Sequence, residues 1–61
     1  MDIQKYLERT KLNDVEFAAL VNVTPVTVGR WRRKTKLPGR DTIYRIEQIT
    51  KGEISFKDWF K

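Results

Sequence analysis

Apolar residues along the chain recur every three or four positions, which is the spacing of one face of an α-helix and not the alternation of a β-strand. Ile43, Ile46 and Ile49 repeat every three residues, and Ile3 and Leu7 lie four residues apart. The pattern therefore predicts an all-α fold, a compact bundle of four to five short helices that forms one domain over residues 1–61.

Capping residues divide the first half of this pattern into helices. Asp2 places a negative charge at the start of a first helix over residues 2–10, where the helix dipole favours it. Asn13 is a good N-cap for a second helix, because its side chain can accept a hydrogen bond from a free backbone amide. The apolar stripe expected on the buried side of this second helix comprises Phe17, Ala18 and Val21.

A turn and a third helix are predicted directly after the second. Asn22 tolerates the left-handed backbone conformation, so we expect it to end the second helix in a tight turn. Thr24 and Pro25 then favour a helix start, because the hydroxyl caps free amides and proline is compatible with the first helical position. This helix is expected to cover residues 25–33, to bury Val28 and Trp31, and to turn outward Val26, Thr27, Gly29, Arg30 and Arg33.

The segment after the third helix is predicted to contain a loop and a fourth helix. Pro38 and Gly39 mark the loop, since both residues interrupt regular structure. Asp41 is expected to cap the fourth helix, which carries the isoleucine repeat, and Gly52 is expected to end it.

A short fifth helix is predicted near the C-terminus. Ser55 and Asp58 have the spacing of a capping box, with Asp in place of the usual Glu. We expect one or two helical turns here, with Trp59 packed within its own chain against Ile54. The apolar stripe of this helix comprises Phe56, Trp59 and Phe60.

Basic residues are concentrated in one part of the chain. The protein carries 13 Lys and Arg against 8 Asp and Glu, a formal net charge of +5, which favours a polyanionic partner. Between Glu16 and Asp41 there is no acidic residue. A helix C-terminus attracts cations, but that effect accounts for only some of these charges. The basic residues of this interval are Arg30, Arg32, Arg33, Lys34, Lys36 and Arg40.

The composition argues against catalysis. The chain has no cysteine and no histidine, so the usual zinc ligands, a thiol nucleophile and the commonest general base are missing. No general base of the right type stands beside Ser55. No two acidic residues have the i, i+3 or i, i+4 spacing at which two carboxylates on one helix could bind the same metal ion. We therefore expect no enzyme, no cofactor and no small-molecule ligand. The apolar runs are too short to predict a membrane span.

Two short helices joined by a tight turn, with basic residues after the second, are the layout of a helix-turn-helix. Ala18 lies ten residues before Val28, which places a small residue where the two helices must cross closely. Residues 13–34 resemble the motif of the phage Cro and repressor family, a group of lambda-repressor-like DNA-binding domains. Asn22 departs from the family's usual glycine but suits the same backbone geometry. Further segments that resemble the all-helical lambdoid Cro proteins are 37–38, 44–47, 50–52 and 52–59.

This resemblance implies sequence-specific binding of double-stranded DNA, with the helix over residues 25–33 in the major groove. The residues after the cap of such a helix reach base edges, and here they are Pro25, Val26, Thr27, Gly29 and Arg30. Because the other three lack a side-chain hydrogen-bonding group, we expect sequence readout to depend on Thr27 and Arg30. A solvated charge is expected at Arg32. The residues expected to contact phosphates are Asn13, Arg33, Lys34, Lys36 and Arg40.

The resemblance also implies a transcriptional regulator, a repressor of the Cro type, in the cytoplasm of a bacterial host. One helix of this size contacts few base pairs, so we expect a two-fold homodimer on a palindromic operator. Phe56 and Phe60 are expected to contribute to a weak dimer interface that forms mainly on DNA.

Two alternatives remain open on the same fold. One is a protein-interaction module, such as an antitoxin or an adaptor, which uses the surface of the third helix for a protein partner. The other is an architectural DNA binder of the excisionase kind, which would bend DNA. A steep salt dependence of binding to random duplexes would exclude the first alternative, and a bending assay would test the second.

Overall fold

The computed structural model of the protein describes residues 1–60, which form four α-helices and one short 3-10 helix. These 60 residues contain no strand, so the predicted all-α class is confirmed. None of the described helices is long and apolar enough to cross a bilayer. In chain order the elements are α1 (Ile3–Thr10), α2 (Asp14–Val21), α3 (Pro25–Arg32), α4 (Arg40–Ile49) and the 3-10 helix (Phe56–Trp59).

Helix α2 lies at the centre of the packing. It contacts both α3 and α4, while α1 packs on α3 and the 3-10 helix packs on α4. The predicted stripe of α2 is buried, as are Val28 and Trp31 on α3. Apolar burial of this kind is the main term that favours folding. The buried hydrophobic residues are Ile3, Leu7, Phe17, Ala18, Val21, Val28, Trp31, Ile43, Ile46 and Ile54.

Both ends of α2 are formed as predicted. The Asn13 side chain accepts a hydrogen bond from the Glu16 amide at 2.8 Å, and the Glu16 carboxylate accepts one from the Asn13 amide at 2.9 Å. At the other end, Asn22 has a left-handed backbone with a φ of 62°. The carbonyl of Val21 accepts a hydrogen bond from the Arg45 guanidinium at 2.8 Å. This last contact attaches the end of α2 to α4.

Helix α4 differs from the prediction at its start. Its N-cap is Gly39, so Asp41 lies within the first turn instead of capping it. No side chain makes a cap hydrogen bond at this start, but the Asp41 charge still suits the positive end of the helix dipole. The last helical residue is Ile49, and Gly52 closes the C-terminus as predicted: with a φ of 84°, its amide donates to the Glu47 carbonyl at 2.8 Å.

The C-terminal element is a single 3-10 turn that closes the core. Ser55 and Asp58 form the predicted capping box, in which the Ser55 amide donates to the Asp58 carboxylate at 2.8 Å. Trp59 meets Trp31 edge to face, with ring centroids 5.9 Å apart, in the geometry that aromatic pairs favour. The prediction that Trp59 packs within its own chain is confirmed.

Candidate nucleic-acid interface

A three-residue turn, 22–24, joins α2 to α3 and fixes the start of α3. The amide of Val23 donates to the Ala18 carbonyl at 3.0 Å, which completes the end of α2. Thr24 is the N-cap of α3, and its hydroxyl accepts from the Thr27 amide at 3.3 Å. Pro25 occupies the first helical position as predicted. The start of α3 is therefore set by local side-chain and backbone contacts.

The exposed face of α3, defined here as Pro25, Val26, Arg30 and Arg33, is turned to solvent. Val26 exposes 60% of its surface although it is apolar. Arg30 is exposed, and within residues 1–60 its guanidinium makes no hydrogen bond or ion pair. Its five N–H donors are therefore available to a ligand. The predicted outward orientation of Val26, Arg30 and Arg33 is confirmed.

Gly29 does not face outward, which corrects the prediction. It is buried, and a Cβ atom at this position would lie 3.3 Å from Nη1 of Arg33 and 3.5 Å from Oδ2 of Asp14. Helix α2 begins beside it, and the Arg33 side chain folds back over it. Because glycine has no side chain, the side chains of Arg33 and Asp14 approach its backbone and cover it. Gly29 therefore offers no surface for a base edge.

Thr27 is only half-buried, but its hydroxyl group is already engaged. Its Oγ1 lies 2.8 Å from Oγ1 of Thr24, the N-cap residue, within hydrogen-bonding distance. Hydroxyl side chains near a helix start commonly make such local hydrogen bonds. Thr27 is therefore half-buried rather than fully outward, and its role as a polar contact stays a prediction, because the contact with Thr24 uses only part of the capacity of its hydroxyl.

Arg32 forms an ion pair that links the two helices, which corrects the prediction of a solvated charge. Its Nε and Nη2 atoms donate to Oδ1 and Oδ2 of Asp14, both at 2.8 Å. Hydrogen bonding to the Arg32 guanidinium lowers the pKa of the Asp14 carboxyl, and the Arg33 charge acts in the same direction. Such two-pronged arginine–carboxylate pairs fix geometry as well as charge. The partners are 18 residues apart, so sequence spacing gave no signal of their contact.

The remaining cations after α3 are exposed. Lys34 follows the helix in a left-handed conformation, with a φ of 61°, and Arg40 is the first residue of α4. The side-chain oxygen of Asn13 is used in its capping box, which leaves its amide nitrogen for an anion. With Arg32 neutralised by Asp14, the exposed cations of the basic interval are Arg30, Arg33, Lys34, Lys36 and Arg40.

The exposed cations of this arrangement suit the binding of anions. Guanidinium and ammonium groups bind phosphate through charge-assisted hydrogen bonds, and a guanidinium also matches the edge of guanine. Among the described residues there is no group of three or more metal-ligating side chains.

Two apolar features lie outside the exposed face of α3. On α2, Val15 and Leu20 are exposed, with 61% and 52% of their surfaces accessible. Near the C-terminus, the rings of Phe56 and Phe60 stack on each other with centroids 4.8 Å apart. They are 48% and 55% exposed, so the core does not absorb them.

No protein family model, no curated protein and no solved structure matches the chain. The residues of α3 and their neighbours are therefore the basis for a proposed function.

Proposed function

We propose that the protein is a sequence-specific double-stranded DNA-binding protein, a transcriptional regulator of the Cro type that acts by binding alone. In this proposal α2, the turn at 22–24 and α3 are a helix-turn-helix, and α3 enters the major groove. The observation that carries it is the exposed face of α3, where an unpaired Arg30 stands beside the exposed Val26 and is followed by further free cations.

The geometry of α3 is compatible with this role. An α-helix with its side chains is about 10–12 Å in diameter, and the major groove is about 12 Å wide. The start of α3 is fixed by the Thr24 cap and Pro25, so the residues after it keep a constant position. Preorganised side chains lose less entropy on binding.

The distribution of charge supports the same partner. Arg33, Lys34 and Lys36 continue beyond Arg30 into the loop, and all four are exposed. Lysine and arginine contacts to phosphates supply most of the affinity for DNA without regard to sequence. We assign phosphate contacts to these residues after Arg30, together with Asn13 and Arg40.

The proposal is tested by selecting bound duplexes from a random pool and by measuring the salt dependence of binding. We expect a consensus to emerge at moderate salt, and a linear fall of log affinity with log salt concentration. Replacing Lys36 by Ala should reduce the slope by about one unit. Lys5→Ala, which removes an exposed lysine outside the basic interval, is the matched control. A pool without a consensus would refute sequence-specific binding.

A second candidate is the protein-interaction module, in which the surface of α3 binds a protein partner, and the exposed Pro25 and Val26 on α3 favour it. Exposed apolar surfaces can mark contacts with other proteins. This candidate requires that the protein bind no duplex even at low salt. Steep salt-dependent binding to random DNA would therefore exclude it as the main function.

We further propose that two copies bind a palindromic operator, with half-sites about one helical turn apart. The exposed pair Phe56 and Phe60 supports this arrangement, because it offers an apolar surface outside the exposed face of α3. So small a contact lies below the standard size of stable interfaces. The dimer is accordingly weak in the free protein and forms mainly on DNA.

A further inference from the structure

The first turn of α3 presents an apolar surface where a DNA-binding helix would meet base edges. Pro25 and Val26 are both exposed, and neither side chain has a hydrogen-bonding group. Val26 exposes 60% of its surface to solvent, so its side chain is accessible to a partner.

The hydroxyl of this turn is already in contact with the helix cap. Thr27 Oγ1 lies 2.8 Å from Thr24 Oγ1, and Thr24 Oγ1 also accepts from the Thr27 amide. A hydroxyl group can donate one hydrogen bond and accept two, so this contact uses only part of the capacity of Thr27. Val26 has no such group and can recognise a base only through an apolar contact.

We propose that each operator half-site contains a thymine whose 5-methyl group packs against Val26. The inference rests on the proposed function, because it assumes that α3 enters the major groove. In that groove the thymine methyl is the one apolar feature that distinguishes a base pair, and cytosine presents an amino donor instead. The isopropyl group of Val26 can pack against the thymine methyl group, but it cannot accept a hydrogen bond from the amino group of cytosine.

The position of Arg30 adds a second element to the half-site. Arg30 lies one helical turn after Val26, about 6 Å further along the axis. Successive base pairs are about 3.4 Å apart, so the two side chains reach bases within about two steps of each other. The unpaired Arg30 guanidinium matches the two acceptors of guanine. The half-site therefore combines a thymine and a guanine at close spacing.

The test removes the methyl group from DNA and the isopropyl group from the protein. A consensus duplex is first selected with the wild-type protein. Each thymine of one half-site is then replaced in turn by deoxyuridine, which lacks the methyl group but keeps every hydrogen-bonding group. One replacement is expected to weaken binding about fourfold, the effect of exposing one buried methyl group.

Three variants assign that effect to a side chain. Val26→Ala should bind the thymine and uracil duplexes equally. Val15→Ala, which truncates an equally exposed valine on α2, should keep the fourfold difference. Thr27→Val keeps the shape of residue 27 and removes its hydroxyl, and it should also keep the fourfold difference.

The outcomes separate the inference from the proposed function. A consensus in which no thymine is sensitive to uracil, or a Val26→Ala protein that still discriminates, would overturn the inference and leave DNA binding intact. A Thr27→Val protein that no longer discriminates thymine from uracil would also overturn it. A pool that yields no consensus would refute the proposed function, and the inference with it.

Discussion

Three arginines lie within four residues at the end of α3, and their surroundings decide what each can bind. Arg30 is exposed and unpaired within the described residues, whereas Arg32 donates to both carboxylate oxygens of Asp14. Arg33 lies over Gly29 but is also exposed. A paired guanidinium must give up its partner before it can bind a ligand, so Arg30 and Arg33 bind at no such cost, whereas Arg32 does not.

Replacing Arg30 by Ala is therefore expected to weaken binding to the selected duplex by about 1–3 kcal/mol and to affect random duplexes far less. Titrations of both duplexes at one salt concentration measure the difference. Arg32→Ala is the matched control, because its partner is Asp14 and its loss should lower thermal stability without changing base preference. Equal losses on the two duplexes for Arg30→Ala would contradict a base contact.

Replacing Gly29 by Ala is expected to stabilise the protein by about 0.5–1 kcal/mol, because alanine favours the helix interior. The nearest atom to the new Cβ is Nη1 of Arg33 at 3.3 Å, the end of a flexible side chain that can move aside.

Thermal unfolding checks this result against Gly39→Ala. No heavy atom other than its own neighbours lies within 4 Å of a Cβ at Gly39, but this residue is an N-cap, where alanine is disfavoured. The two substitutions should therefore shift the melting temperature in opposite directions. A destabilised Gly29→Ala protein would show that the Arg33 side chain cannot move away from the added Cβ atom.

The helices show which features can be predicted from sequence and which cannot. The starts of α2 and α3 were predictable, because Asn13 and Thr24 cap amides within three residues of themselves. The start of α4 was missed, since Gly39 caps without a side-chain hydrogen bond. The pairing of Arg32 with Asp14 was also missed, because it depends on how two helices cross. Hydrogen bonds between residues close in sequence determine where these two helices begin. Contacts between helices determine which charged side chains of the candidate interface remain available.

The end of α2 depends on a left-handed residue, and its replacement tests that geometry. Asn22→Gly is expected to be neutral or slightly stabilising, because glycine adopts a φ of 62° without strain. Asn22→Ala should destabilise the protein by about 1 kcal/mol, since alanine lacks the short polar side chain through which asparagine tolerates this conformation. Chemical denaturation of both variants measures the difference. A Gly variant less stable than the Ala variant would contradict the role of the turn.

The ion pair between α2 and α3 predicts a dependence of stability on pH. The folded-state pKa of Asp14 is lowered by Arg32, so the pair stabilises the fold at pH values above the unfolded pKa of about 3.9. That contribution disappears as the pH falls through the lowered folded-state pKa. At neutral pH, Asp14→Asn should cost about 0.5–1 kcal/mol, as expected for a partly exposed pair.

The difference in melting temperature between Asp14→Asn and wild type should therefore shrink below about pH 4. Asp41→Asn is the control, because Asp41 also lies in the first turn of a helix but makes no ion pair within the described residues. It separates the effect of the pair from that of the helix dipole. A difference that stays constant down to the lowest pH would exclude the Arg32 contact as its cause.

At the scale of the whole molecule, a small core leaves large apolar groups outside. A domain of this size buries only about 60% of the surface that its unfolded chain exposes. Phe56 and Phe60, which the sequence analysis places at a dimer interface, are exposed. The pattern did not predict that the two rings would contact each other, because that contact depends on the exact path of the last turn.

Replacing Phe60 by Ala is expected to leave the melting temperature nearly unchanged, because the ring is 55% exposed. Binding of the second copy to a palindromic duplex should weaken, while binding to an isolated half-site should not change. Titration on the two duplexes and sedimentation of the complexes measure this effect. Tyr44→Ala removes a similarly exposed ring from α4 and should leave both affinities intact. A stoichiometry of one chain per palindrome for the wild type would contradict the dimer.

The contact between Trp31 and Trp59 gives the protein an optical signal of its own. These are its only two tryptophans, and their centroids lie 5.9 Å apart at an angle of 76° between ring planes. At this separation the electronic transitions of two indoles couple, and a skewed pair produces a two-signed circular dichroism band. The band depends on the last turn resting against α3 rather than on the amount of helix. Detachment of the C-terminal turn is therefore visible in the spectrum as an event separate from the melting of the helices.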